Sequence, residues 1–188
     1  MSNVIDRFAS GFGRLIAWFP RGTERVWGAG YAMATGAVLS AFLFSLLLML
    51  PLVGFVPLGA PTSLTDAVVD YLIYATGSLP VTLPSAFLAG VLVWRILPES
   101  VGHRGILGGL ASATVGFLIS AVVSVILFIG YGVVVDTTLL APSIGRTVVS
   151  LVLLIPFVFL FLSWAILPVG AIVGGLYERT RRQLSQTD

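Results

Sequence analysis

The residues able to do chemistry are few. His103 is the single histidine and there is no cysteine, which removes the usual zinc ligand sets and any thiol nucleophile. His103 stands in a short polar turn beside Arg104, with no second base near it. Ser112 and Ser120 would need an adjacent base to act as nucleophiles, and no Asp, Glu, Lys, Arg or His occurs between Gly105 and Val135. A Gly-x-Ser-x-Gly elbow, a His-Glu-x-x-His helix and a phosphate-cradling loop ending in Lys are all missing from the sequence. Asp66 and Asp70, four apart, could face one cation, yet read more simply as a solvated helix face. The expectation is a non-enzymatic chain with no cofactor and no metal.

Two backbone features bear on transport instead. Ile129-Gly130-Tyr131-Gly132 contains a Gly-Tyr-Gly like that of potassium filters, but no Thr-Val precedes it and no pore helix leads into it, so coincidence is the better reading. Pro84 and Pro168 are each followed by small residues and by Gly90 or Gly174. Paired breaks at matching places of two halves point to a solute path, since freed backbone groups can face an ion or solute. Ordinary kinks, or helix starts where proline is harmless, explain the same residues. No span carries an ionisable group at its centre, which argues against proton coupling.

These groups must be positioned by membrane helices. The chain is 57% hydrophobic and 10% charged, with a mean hydropathy of +1.06, where a soluble domain carries about 25% charged residues. Charged residues and histidine are absent from Val26–Thr65, Tyr71–Trp94, Gly105–Val135 and Thr147–Tyr177. About 20 apolar residues cross about 30 Å of hydrocarbon. The composition therefore predicts one all-α membrane domain over 1–188, with four spans near 27–57, 79–98, 105–135 and 145–177 and a tail at 178–188. Pro80 and Pro84 confine the clean helical part of the second span to Pro84–Leu97, so that span is expected to be short or broken. Pro61-Thr62-Ser63 followed by Asp66 reads as a capping box opening a short outer helix over 64–76.

Nine arginines (Arg7, Arg14, Arg21, Arg25, Arg95, Arg104, Arg179, Arg181, Arg182) flank one side of these spans and only Arg146 flanks the other. By the positive-inside rule both termini and the central turn are expected in the cytoplasm, in a cell membrane. The first long apolar run is too long for a signal-peptide core, so no cleavable leader is expected. Val4, Ile5, Phe8, Phe12, Leu15, Ile16 and Phe19 recur at helical spacing before Pro20. They predict an amphipathic helix over 3–19 that lies in the headgroup layer or packs on the end of the bundle.

A shift of 80 residues sets Gly28, Ala32, Gly36 and Ser40 on Gly108, Ser112, Gly116 and Ser120, and a shift of 84 sets Pro84, Gly90 and Arg95 on Pro168, Gly174 and Arg179. The spans are thus expected to be two tandem parallel hairpins, each a long outgoing helix, an Ala-Pro-(Thr/Ser) turn and a proline-broken return. The ladder Gly28, Ala32, Gly36, Ser40 with Gly108, Ser112, Gly116, Ser120 and Ser124 predicts close helix packing. That packing is either the first span on the third within one chain, which is favoured, or a homo-oligomer interface.

Ala86-Phe-Leu-Ala-Gly90, Gly105-Ile-Leu-Gly-Gly109 and Gly170-Ala-Ile-Val-Gly-Gly175 give the chain the look of the small multi-pass membrane proteins, rich in Gly, Ala and Ser, that are common in archaea. It resembles them over most of its length, and that resemblance implies no activity, cofactor or site. The functional expectation is a structural or accessory membrane protein whose partners are the bilayer and a second membrane chain, a copy of itself or another subunit. The alternative is a small transporter or channel subunit with its path at the proline-broken helices. Nothing suggests nucleic acid.

Overall fold

The computed structural model describes residues 2–22, 24–54, 69, 73, 76–135 and 140–184. They form α1 (Ser2–Ala17), α2 (Arg25–Gly54), α3 (Leu79–Ile96), α4 (Arg104–Val135) and α5 (Leu140–Leu184), with no strand among the described residues. Four helices are long and apolar enough to cross a membrane, within Arg25–Leu43, Leu79–Ile96, Arg104–Leu127 and Leu153–Gln183. The chain is an all-α, multi-pass helical bundle.

The helices stand in a ring in which α2 touches α3, α3 touches α4, α4 touches α5 and α5 returns to α2. Helices α2 and α4 lie on a diagonal, so the first span does not pack along the third as the small-residue ladder suggested. The physical reason is that each outgoing helix is sandwiched between returning helices, and its small residues meet those. A Cβ at Gly36 would touch Val173 of α5 at 3.3 Å, and one at Gly116 would touch Ala86 of α3 at 3.4 Å.

Neither returning helix is broken. Helix α3 starts at Leu79 with Pro80 in its first turn, where a missing N–H costs nothing, and continues through Pro84. Near that proline the hydroxyls of Thr82 and Ser85 donate to the carbonyls of Ser78 and Val81 at 2.9 and 2.7 Å, and Pro84 costs the helix only the one bond to the Pro80 carbonyl. Helix α5 runs through Pro156 and Pro168 for 45 residues, about 68 Å at 1.5 Å per residue. It takes in Ala141-Pro142-Ser143, expected as a turn, because Pro142 falls in its first turn. Gly130-Tyr131-Gly132 is likewise helical, inside α4. The capping box and nearly all of the outer helix expected over 64–76 lie outside the described residues.

Helix α1 docks on the bundle. Ala9 and Ile16 are buried, and Thr180 of α5 donates to the Ala9 carbonyl at 2.8 Å. Phe8, Leu15 and Trp18 remain exposed, so the apolar side of α1 is divided between the bundle and the outside. Gly22 makes the turn into α2, since any Cβ there would overlap the Ile16 carbonyl. Phe19 stacks on Tyr31 at 4.7 Å and holds this turn against α2.

Candidate functional site: a serine-lined cavity closed at one end

Small residues bring two backbones close only where something small faces them. Between α4 and α5 this happens. A Cβ at Gly109 would overlap the Gly170 carbonyl, and one at Gly174 would overlap the Gly105 carbonyl. Gly90 does the same for α3 against α2, where a Cβ would stand 2.8 Å from the Ala29 carbonyl. Gly28 and Gly108 meet the rings of Tyr177 and Trp94 respectively.

Farther along the bundle the small residues face one another across the ring and fill too little of it. A cavity of about 630 Å³ remains, open along part of its length. Helix α2 lines it with Gly36 and Ser40, α3 with Thr82 and its N-cap Ser78, and α4 with Ser112, Gly116, Ser120 and Ser124. Helix α5 supplies Leu154, Ile155, Val158, Leu162 and Ile166. One wall therefore carries hydroxyls and the other is branched hydrocarbon. Ser112 is 1% exposed, and its Oγ has no hydrogen-bond partner among the described residues. A buried hydroxyl left without a partner costs about 1–3 kcal/mol, and this one sits in the cavity wall.

The structure thus separates the predicted site residues. Gly36, Ser40, Ser112, Gly116, Ser120 and Ser124 are cavity wall. Gly28 and Gly108 are ring contacts, and Ala32 is buried in the core beside Met33, Trp94 and Val173. Of the candidate transport-path residues, Gly90 and Gly174 pack backbone on backbone, while Pro84 and Pro168 face outward. None of these four lines the cavity.

One end of the cavity is closed by a plug that no local sequence pattern announces. Trp94, fully buried, meets Tyr177 edge to face at 5.1 Å, and Met33 and Val173 complete the layer. The Tyr177 hydroxyl donates to the Arg25 carbonyl at 2.6 Å. Behind the plug, Arg25, Arg104 and Arg181 converge on a single oxygen of Glu99, at 2.6, 3.6 and 3.2 Å. Arg25 also donates to the carbonyls of Trp94 and Leu97, and Arg104 to that of Leu97. These bonds satisfy carbonyls that the end of α3 leaves open. Arg104, with its side chain 3% exposed, stands over the Trp94 ring at 5.3 Å. Sequence reading placed Arg104 in the turn as a topology marker. Its one further signal was a cation adjoining an apolar stretch with Glu99 five residues before it.

No group of three or more His, Cys, Asp or Glu side chains that could hold a metal occurs among the described residues. No protein-family model matches the chain, and no curated protein or solved structure matches it either.

Proposed function

We propose that the chain is a non-enzymatic accessory protein of the cell membrane whose bundle holds a mainly hydrocarbon molecule carrying a neutral hydrogen-bonding group, such as an ester, carbonyl or hydroxyl. The observation that carries this reading is the cavity, with hydroxyls on one wall, branched aliphatic side chains on the other, and Ser112 without a partner. Its volume falls within the 300–1,000 Å³ typical of small-molecule sites. The described residues lining it bear no charge, which favours a neutral occupant over an ion. The arginine end faces the cytoplasm on this reading, because nine of ten basic residues sit there.

We further infer that the cavity arose by tandem duplication of a helical hairpin. Gly36, Ala37, Ser40 and Ala41 line it on α2, and a shift of 80 turns them into Gly116, Phe117, Ser120 and Ala121, which line it on α4. A shift of 84 turns Ser78, Thr82 and Ala86 of α3 into Leu162, Ile166 and Gly170 of α5, again all lining. The packing pairs follow the same rule, with Gly90 on Ala29 matching Gly174 on Gly109, and Gly36 on Val173 matching Gly116 on Ala89. What breaks the two-fold relation is chemistry: Ser78 and Thr82 stand opposite Leu162 and Ile166. The pseudo-symmetric pocket is amphiphilic for that reason.

The test is extraction of the purified protein with organic solvent and mass spectrometry of what it retains. Wild type is expected to release a defined apolar species in near-stoichiometric amount, and Ser120→Phe, which fills the space, to release little. Equal binding of a hydrophobic fluorescent probe by both proteins, with no retained species, would overturn the reading.

A further inference from the structure

The arginine end carries buried donors that Glu99 and the carbonyls of Trp94 and Leu97 leave unanswered. Arg25, Arg104 and Arg181 bring three positive charges to Oε1 of Glu99, which answers with one, while the neighbouring Glu178 carboxylate is paired with Arg182. Arg25 Nε, Arg104 Nε, Arg181 Nη1 and the Trp94 indole N–H are all buried without a partner among the described residues. Such donors normally find an acceptor. Glu99, in contrast, is 63% exposed. It covers the cluster from outside and can swing away while Arg104 stays in place beneath it.

Planar guanidinium groups converging from three helices suit a tetrahedral oxyanion, whose several oxygens can accept from all of them at once. The surroundings favour an anion that carries hydrocarbon. Ile96, Ile106 and Leu107 beside the cluster are outward-facing at the ends of two spans, where acyl chains would lie.

We propose that Arg25, Arg104 and Arg181 form a site for the phosphate of an anionic lipid headgroup, which takes the place of the Glu99 carboxylate. Three helices, α2, α4 and α5, are then tied together by lipid at the closed end of the bundle. The site is separate from the cavity, because the Trp94–Tyr177 layer lies between them.

Native mass spectrometry of the full chain released from micelles containing equal phosphatidylglycerol and phosphatidylcholine tests this. Wild type is expected to retain phosphatidylglycerol about fivefold over phosphatidylcholine, the preference that one basic side chain near an anionic surface gives. Glu99→Gln, which removes the competing carboxylate, raises that ratio, and Arg181→Gln brings it towards one. Should Arg181→Gln not fold, Arg181→Lys serves, retaining charge but losing the planar fork, with an intermediate ratio. Equal retention of the two lipids by wild type, or a ratio unmoved by Glu99→Gln, overturns the proposal. So does stripping of the lipid by millimolar inorganic phosphate at constant ionic strength, which would assign the site to free phosphate.

Discussion

Trp94 and Tyr177 meet edge to face, their ring centres 5.1 Å apart and the ring planes at 87°, across a diagonal of the helix ring whose backbones do not touch. These two side chains set the separation of α3 and α5 at the closed end. Their partners are a glycine each, Gly108 beneath Trp94 and Gly28 beneath Tyr177. The large rings fit because the outgoing helices withdraw their side chains there. Beyond the rings the small residues persist while no aromatic pair among the described residues spans the diagonal, and the cavity begins.

Removing the indole should therefore do two things. Trp94→Ala is expected to cost about 3–5 kcal/mol, the usual loss for a large buried ring, and to join the cavity to the arginine end. Tyr177→Phe keeps the ring contact and loses only the hydrogen bond to the Arg25 carbonyl, a loss of about 1 kcal/mol. Thermal unfolding in detergent measures both, and similar costs for the two would show that the ring packing is not what holds α3 and α5 apart.

Ser112→Ala offers a test with opposite signs. The hydroxyl is buried and unpartnered, so its removal from an empty bundle is expected to be neutral or stabilising by about 1 kcal/mol. With the cavity occupied the same change should weaken retention of the ligand. Melting temperatures of extracted and unextracted protein, compared for both chains, separate the two effects. Destabilisation of the extracted protein would mean that the hydroxyl has a partner within the fold.

How much of this was legible in the sequence depends on the interaction concerned. Apolar stretches bounded by arginines located all four spans, because length and hydrophobicity decide membrane crossing with little help from packing. Pro84 misled, because a proline early in a helix removes only the bond to the Pro80 carbonyl, and the helix runs on through it. The small-residue ladder was visible, but a period of four residues says only that a face is narrow. It does not say whether Gly116 meets a neighbouring helix or Ser120 meets empty space. That depends on which helix stands opposite, and no local pattern specifies a diagonal. The plug was harder still, since Trp94 and Tyr177 are 83 positions apart in sequence.

The backbone contacts at Gly90 and Gly174 should respond alike if they are related by duplication. Val at either position would drive a branched side chain into a neighbouring backbone, Ala29 and Gly30 for the first, Gly105 and Gly109 for the second. Each substitution is expected to destabilise by more than about 2 kcal/mol, as overpacking against immobile backbone does. Gly102→Ala, with nothing within 4 Å of the added methyl, is the control and should change stability little. A large loss at Gly174 with none at Gly90 would argue that the two hairpins are packed by different rules.

Helix α1 is held by fewer interactions than any other described helix, and that makes it the first of them to leave. Its contact with α5 centres on Thr180, whose hydroxyl donates to both Ala9 and Leu176 carbonyls at 2.8 and 3.0 Å and whose methyl fills the space above Gly13. Thr180→Val preserves the shape and removes the hydroxyl, costing about 1 kcal/mol. Gly13→Leu keeps the hydroxyl but sets a side chain where the Thr180 methyl already lies, and should displace the helix altogether. Hydrogen exchange over residues 2–17 is expected to quicken modestly in the first variant and approach unprotected rates in the second, with α3 and α4 unchanged in both. The exposed Phe8 and Trp18 add a condition: in bilayers, where those rings can enter the headgroup layer, α1 of Gly13→Leu should regain protection that it lacks in detergent. Protection lost equally in both media would mean that docking on Thr180, and not the membrane surface, is what makes α1 a helix.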